Sequence, residues 1–456
     1  MQDFLFTDDL KDLDPQVFAL TEIESERQAR RLIMIPSEST APLAVRQALA
    51  SAFTNIYAEG YPRPETRTMS QAEIMDFTNQ LGTYRRYSDP RYYKGVEYVD
   101  MVEALAKRRC AELFAANDLE ADDLFVNVQP LSGAPANNAV YTAFLNPGDA
   151  ILGMNLLHGG HLSHGSSVNR SGINYKAFHY TVDPETERID YENLAKLAEL
   201  HKPRIIIAGY SSYPWIPDWK KFRQVADSVD AILLADISHI AGLIAAGISA
   251  SPVGYAHVIT FTTHKTLCGP RAAAIITDNE AYASKIDKAV FPGEQGGPHI
   301  NTIAAMALTF KLAKTDEFIA LQKQIKKNAA ALADSLTKNE LRVPNKGTDT
   351  HMTLIDCKSI VSSDGTPLSG DMGARILDIA GIVANRNTIP GDHSAFSASG
   401  IRFGTTWLTQ RGFKEADLQE IGMLIANILK ATTPYLKYGR TGNQIRAKVD
   451  FKVLEE

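Results

Sequence analysis

The chain is short of cysteine: Cys110, Cys268 and Cys357 are the only three in 456 residues, odd in number and far apart. No paired ligand spacing joins them, so neither a disulfide framework nor a zinc site is expected, and free thiols are. Apolar runs long enough for a bilayer, about 18 residues, are also missing, which argues against membrane insertion. A basic excess is lacking: the net charge is -6 with no cationic stripe, which disfavours nucleic acid as a partner but leaves room for a local anion pocket. The opening Met1 to Leu10 has no basic segment followed by an apolar one, so the cytoplasm is the expected compartment. Internal repeats and low-complexity segments are absent as well.

What is present is an ordinary globular balance, 45% hydrophobic and 22% charged, over a length that calls for a large and a smaller domain. Asp14 and Pro15 read as the N-cap and first position of a helix over 15–31, leading to a short strand at Leu32–Ile35. Between about 100 and 300, β-rich runs such as Arg204-Ile-Ile-Ile-Ala and Ala231-Ile-Leu-Leu-Ala-Asp alternate with helical patterns, predicting an α/β domain with a mostly parallel sheet. A long helical stretch near 301–338, strands at Met352–Asp356 and Arg402–Gly404 and a helix over 415–431 predict a smaller α+β domain. The expected divisions are an N-terminal helical arm (1–55), a large domain (56–305) and a small C-terminal domain (306–456).

The run Val258 to Leu267 sets Lys265 among hydroxyls and a histidine at the end of an apolar strand. Partial desolvation there lowers an amine's pKa and makes it a nucleophile toward an aldehyde such as pyridoxal phosphate; a solvated strand-end lysine has the same local pattern. In open α/β sheets ligands gather at the carboxyl ends of strands. Asp236 ends such a strand and suits a protonated pyridine nitrogen, with His239 near the ring's phenolic oxygen, although a helix cap is the plainer alternative. Ser132 and Gly133 open a helix whose free amides and hydroxyl suit a phosphate, as a plain capped start also would. Gln295-Gly296-Gly297-Pro298 is a second glycine turn. In the run His158 to Gly165 the glycines and the lack of nearby carboxylates favour a loop that presents one imidazole, His161, to a flat ring, rather than a metal site. Arg402 stands in an otherwise apolar strand and needs an anion: a substrate α-carboxylate, or else an internal salt bridge.

These segments together resemble the serine hydroxymethyltransferase family. The likeness runs from about Arg31 to Ile425, through Tyr57-Ala-Glu-Gly-Tyr-Pro62, Asn127-Val-Gln-Pro130, His158-Gly-Gly-His161, Asp236-Ile-Ser-His239, Thr262 to Arg271, Phe291 to Gly297 and Gly400-Ile-Arg402. It implies a pyridoxal-phosphate-dependent transferase of fold type I, similar to the aspartate aminotransferases, with a large mostly parallel-sheet domain and a smaller α+β domain. By that resemblance Lys265 forms the Schiff base, Asp236 pairs with the pyridinium and His161 stacks on the ring. Ser132, Gly133, Ser211, His239, Thr262 and His264 complete the cofactor site, joined by Gly296 and Gly297 of the neighbouring subunit. Ser37, Tyr57, Tyr93 and Arg402 are implied for the substrate, with Glu59 as the proton-transfer residue. Tyr92, Leu156, Gly160, Leu162, Phe291 and Asn387 match folate positions. The implied cofactors are pyridoxal phosphate and, as co-substrate, tetrahydrofolate. The implied partners are an amino-acid substrate and a second copy in a homodimer with shared active sites, with a tetramer as the further option.

The chain departs from the family pattern at residues 63–90, which intervene between Pro62 and Arg91-Tyr92-Tyr93. Ser70-Gln-Ala-Glu73 reads there as a capping box, with Ile74, Phe77 and Leu81 on one face and Gly82 ending the helix, as an ordered lid or interface element. Ser39, Lys94, Leu131, Trp215 and the pair Ala272–Ala273 also differ, and are expected to reshape the pocket. The expected reaction is retro-aldol cleavage of a β-hydroxy amino acid, serine to glycine with tetrahydrofolate. A folate-independent aldolase or threonine transaldolase is the alternative that 63–90 favours, and a catalytically silent pyridoxal-phosphate-binding homologue is a third reading.

Overall fold

The computed structural model describes residues 8–394, 397–438 and 444–455; the first seven residues of the expected arm lie outside it. Asp14 caps the helix Pro15–Arg30 by accepting from the Gln16 and Val17 amides, as its sequence predicts. Strand β1 (Leu32–Ile33) follows. The large sheet is built from β2 (Phe125–Asn127), β3 (Ala150–Met154), β4 (Lys176–Tyr180), β5 (Ile205–Gly209), β6 (Ile232–Asp236), β7 (Val258–Thr262) and β8 (Ala273–Thr277). Their order is β2-β8-β7-β6-β5-β3-β4. Only β8 runs against its neighbours.

Helices cover both faces of this sheet, which is why its central strands are unbroken apolar runs instead of alternating ones. Successive residues still point opposite ways. Ile206, Leu233 and Ile259 join one core with Phe114 and Phe310, whereas Ile205, Ile207, Leu234 and Val258 join the other with Tyr141.

In the small domain β9 (Met352–Asp356), β11 (Asn385–Asn387) and β12 (Gly400–Gly404) form an antiparallel sheet in the order β11-β12-β9. β1 pairs in parallel with β10 (Ile382–Val383), and Met34 is buried in the same core as Leu332, Phe403 and Ile425. The stretch near 301–338 is two helices, Ile300–Leu312 and Asp316–Lys338, because the Thr315 hydroxyl caps the second by accepting from the Phe318 amide. After the helix Glu415–Lys430 the chain adds a hairpin, β13 (Thr432–Lys437) with β14 (Gln444–Val449), which the sequence reading did not anticipate.

Residues 63–90 are folded. The Ser70/Glu73 capping box is formed, but the helix it starts, Gln71–Ile74, makes a single turn. Asp76 then caps a second helix, Phe77–Tyr87, which runs through Gly82 and ends at Ser88 with φ +59°. The expectation that Gly82 ends the helix is therefore corrected: the break falls at Met75–Asp76, where the Asp76 carboxylate accepts from the Asn79 amide. That break also splits the expected apolar face. Ile74 is buried against Ala104 and Leu105, while Phe77 is half exposed. Just beyond the insertion, the buried Arg91 guanidinium donates to Asp100 (2.6 Å), Glu103 (2.7 Å) and the carbonyls of Ala58 and Gly60. Among the described residues no helix is long and apolar enough to cross a membrane.

Candidate active site

The carboxyl ends of β5, β6 and β7 open on a cavity of about 390 Å³ that the small domain closes with β11 and β12. β7 is buried along its whole length and delivers Lys265 to the floor, 8% exposed. Burial lowers the ammonium pKa to about 8; Asp236 pulls the other way, and the cations Arg402 and Arg271 add to the lowering.

Asp236 leaves β6 into the same cavity. Burial would raise its pKa, but the hydrogen bond and charge of His164 (Nε2 to Oδ2, 3.0 Å), with His161 and Lys265 nearby, hold it far below the usual carboxylate range. Asn137 donates to the same oxygen at 2.8 Å and the Ser238 amide to Oδ1 at 3.1 Å, so this carboxylate stays ionised although 8% exposed. It is no helix cap.

The helix Gly133–Phe144 starts at the cavity wall. The hydroxyl of its N-cap residue Ser132 makes no capping bond and is exposed, and the first-turn amides lack intrahelical partners. A Cβ on Gly133 would lie 2.9 Å from the Thr262 methyl, so glycine is what lets this helix start approach the strand. A free helix N-terminus with a hydroxyl, an ionised buried carboxylate and a desolvated lysine fit a phosphorylated pyridine aldehyde.

His161 lines the cavity with Nδ1 held by Ser163 (2.7 Å), and burial lowers its pKa to about 4, leaving a neutral flat ring. The other histidines of that run go elsewhere: His164 holds Asp236, and His158 Nδ1 accepts from the Val182 amide. Among the described residues no group of three or more His, Cys, Asp or Glu side chains is placed to hold a metal. Ser211, whose hydroxyl donates to Gly160 O at 2.9 Å, lines the cavity together with Ser37, His239, His264, Leu156, Leu162 and Asn387. Gly160 itself is buried; a Cβ there would sit 2.1 Å from Met154 O.

Arg402 reaches the cavity from β12, 8% exposed. It donates to Ser211 O and, at 3.2–3.3 Å, to Asn385 Oδ1. Among the described residues no ion pair is formed by it, and burial alone lowers its pKa to about 10. The guanidinium is therefore a desolvated cation without a counter-charge, and its planar fork suits a carboxylate.

Glu59, Tyr57, Tyr93, Gly296 and Gly297 form a second cluster that does not line the Lys265 cavity of the same chain. Tyr57 donates to Glu59 Oε1 (2.9 Å), its ring meets Tyr93 edge-on at 4.9 Å, and Cβ atoms on Gly296 and Gly297 would crowd Glu59 and the Tyr57 ring. Tyr92, 78% exposed, faces Phe291 at 6.1 Å.

Trp215, expected to reshape the pocket, does not line the Lys265 cavity itself but a small void behind two of its walls, Asp236 and His239. Its indole donates to Asn345 O, Arg188 covers its face at 3.3 Å, and it braces the two domains. Ser39 binds His264 O, and Ala272 and Ala273 are packed at the start of β8. Sequence reading passed over Asn137, His164 and Asn385. A polar residue on the buried face of an apolar helix was the available signal for Asn137; Asn385 becomes a partner of Arg402 only through the β11–β12 register.

A family model described as serine hydroxymethyltransferase matches residues 10–89 and 84–425, two stretches that overlap at 84–89, near the end of the 63–90 segment.

Proposed function

Since the chain belongs to the serine hydroxymethyltransferase family, whose members use pyridoxal phosphate and take tetrahydrofolate as co-substrate, we propose that it interconverts serine and glycine by hydroxymethyl transfer. The observation that carries this reading is the unpaired Arg402 guanidinium in one cavity with Lys265 and the ionised Asp236. Bound there, pyridoxal phosphate supplies an electron sink for the pair released at Cα when the Cα–Cβ bond breaks. Lys265 would anchor it, Asp236 would keep a proton on the ring nitrogen, and the Ser132–Gly133 helix start would hold the phosphate. Arg402, with Ser37, would clamp the substrate carboxylate and so orient the amino acid in the cavity. The β-hydroxyl proton passes to Glu59 as the bond breaks and returns in the reverse direction. One proton taken up at Cα, balancing the one that Glu59 removed from the hydroxyl, leaves glycine, and the carbon, at the formaldehyde level, passes to tetrahydrofolate with release of water.

For Glu59 to act, two copies must pair so that the Tyr57–Glu59–Tyr93 cluster and Gly296–Gly297 of one face the Lys265 cavity of the other. The separation of these residues from the cavity within one chain supports that arrangement. A second reading, folate-independent aldol cleavage of threonine-like substrates, is favoured by the folded insertion beside Arg91–Tyr93. Glycine formation from serine with and without tetrahydrofolate, set against aldehyde release from threonine, tests the two. Folate-dependent serine turnover is expected; threonine cleavage without folate, together with inertness toward serine, would overturn the first reading in favour of the second.

A further inference from the structure

His351 has no place in the chemistry above, yet it touches a residue that does. It is fully buried just before β9 of the small domain, and its Nε2 lies 3.3 Å from Nδ1 of His239, which lines the Lys265 cavity from the large domain. The rings are near-parallel, 25° apart, with centroids at 5.4 Å. Burial depresses the pKa of both imidazoles, that of His351 to about 3, so both are neutral. A neutral imidazole carries one N–H and one bare nitrogen. A single proton therefore sits in the 3.3 Å gap, and the tautomer of either ring dictates that of the other. With Nδ1 of His239 engaged, its remaining nitrogen is left to meet whatever occupies the cavity, as a donor or an acceptor according to the tautomer that the pair adopts. The His351 carbonyl accepts from the Thr405 amide (3.0 Å), directly after β12, and β9 pairs with β12 at Leu354↔Arg402. The same short segment thus reaches both His239 and the strand bearing the carboxylate clamp.

We infer that His351 is a positioning residue, which sets the tautomer and tilt of His239 toward the bound cofactor and registers the small domain against the cavity floor. The inference rests on the reading that the Lys265 cavity holds pyridoxal phosphate.

The test is the rate at which the full-length holoenzyme loses pyridoxal phosphate, followed by its visible absorbance with thermal unfolding as a control, in wild type, His351→Gln, His351→Leu, His239→Phe and the His239→Phe/His351→Leu double variant. His351→Leu should lose cofactor about tenfold faster, equal to about 1.4 kcal/mol, with a displaced visible band. His351→Gln, which can still hydrogen-bond to His239, should recover most of the rate and the band position. In the His239→Phe background, His351→Leu should add nothing. Equal effects of Leu in both backgrounds, or a wild-type rate and band in folded His351→Leu, would overturn the inference. If His351→Leu does not fold, the failure of His351→Gln to keep a near-wild-type rate and band overturns it instead. Wild-type protein that takes up no pyridoxal phosphate would sink the cofactor reading itself, an outcome distinct from the others.

Discussion

Replacing Arg402 with methionine separates a substrate clamp from a structural ion pair, because the two roles move stability in opposite directions. Burial holds Arg402 near 10 against an ordinary 12.5, so keeping it charged without a bound anion costs about 3 kcal/mol at 1.36 kcal/mol per unit. Methionine removes that cost. It also strands two acceptors, Ser211 O and Asn385 Oδ1, a loss of about 1–3 kcal/mol. The balance leaves folding stability unchanged or slightly raised, whereas breaking a buried salt bridge would cost about 3–5 kcal/mol. Substrate binding behaves differently. A carboxylate that loses a buried charged partner forfeits about 2–5 kcal/mol, or roughly 30- to several-thousand-fold in Kd. Glycine or serine titrated into the holoenzyme, read by the visible band, should show that weakening, with urea unfolding of the apoprotein giving the stability. Cofactor should be retained, since Arg402 lies on the carboxylate side. A variant that loses several kcal/mol of stability and sheds cofactor and substrate alike would refute the reasoning.

Lys265 carries a pH signature. Folding lowers its pKa from 10.5 to about 8, so between those values the unfolded chain holds a proton that the native state lacks; this group's contribution to stability rises with pH across that window. Capture of pyridoxal phosphate by the apoprotein should accelerate up to about pH 8 and then level off, with the plateau shifted lower in Asp236→Asn because that carboxylate raises the amine's pKa. A rate still climbing at pH 10 would mean an ordinary, solvated lysine. For the insertion, Arg91→Met should cost about 3–5 kcal/mol in urea unfolding, since it strips Glu103 and Asp100 of their buried cation. A loss under about 1 kcal/mol would show that this network does not hold the exit of 63–90.

Lys265, Asp236 and Arg402 were legible because each is a charged residue at or in an apolar strand, where burial without a partner is costly whatever the rest of the fold does. Asp14 and the Ser70/Glu73 box were legible for a similar reason: a cap is a contact between near neighbours in the chain. The insertion's second helix was misread because a glycine was taken as a stop, when Asp76, six residues earlier, supplies a cap that restarts the helix. Trp215 lies close in sequence to Ser211, yet Pro214 and Pro217 flank a turn that sends the indole to Asn345, and only domain docking reveals that partner. His164 gave no local sign that it, and not its neighbour, would hold Asp236; the contact spans 72 positions. The His239–His351 pair spans 112. Chain-local chemistry could be read, and the partners that packing brings together from distant segments could not.

The central claim is that the ε-amine of Lys265 is the covalent anchor of the cofactor. Borohydride reduction of the pyridoxal-phosphate-loaded protein, followed by proteolysis and peptide mapping, tests it most directly. The account predicts one reduced pyridoxyl group, on the peptide containing Thr262-Thr263-His264-Lys265. A label on any other lysine, or none on protein that visibly holds the cofactor, would contradict it.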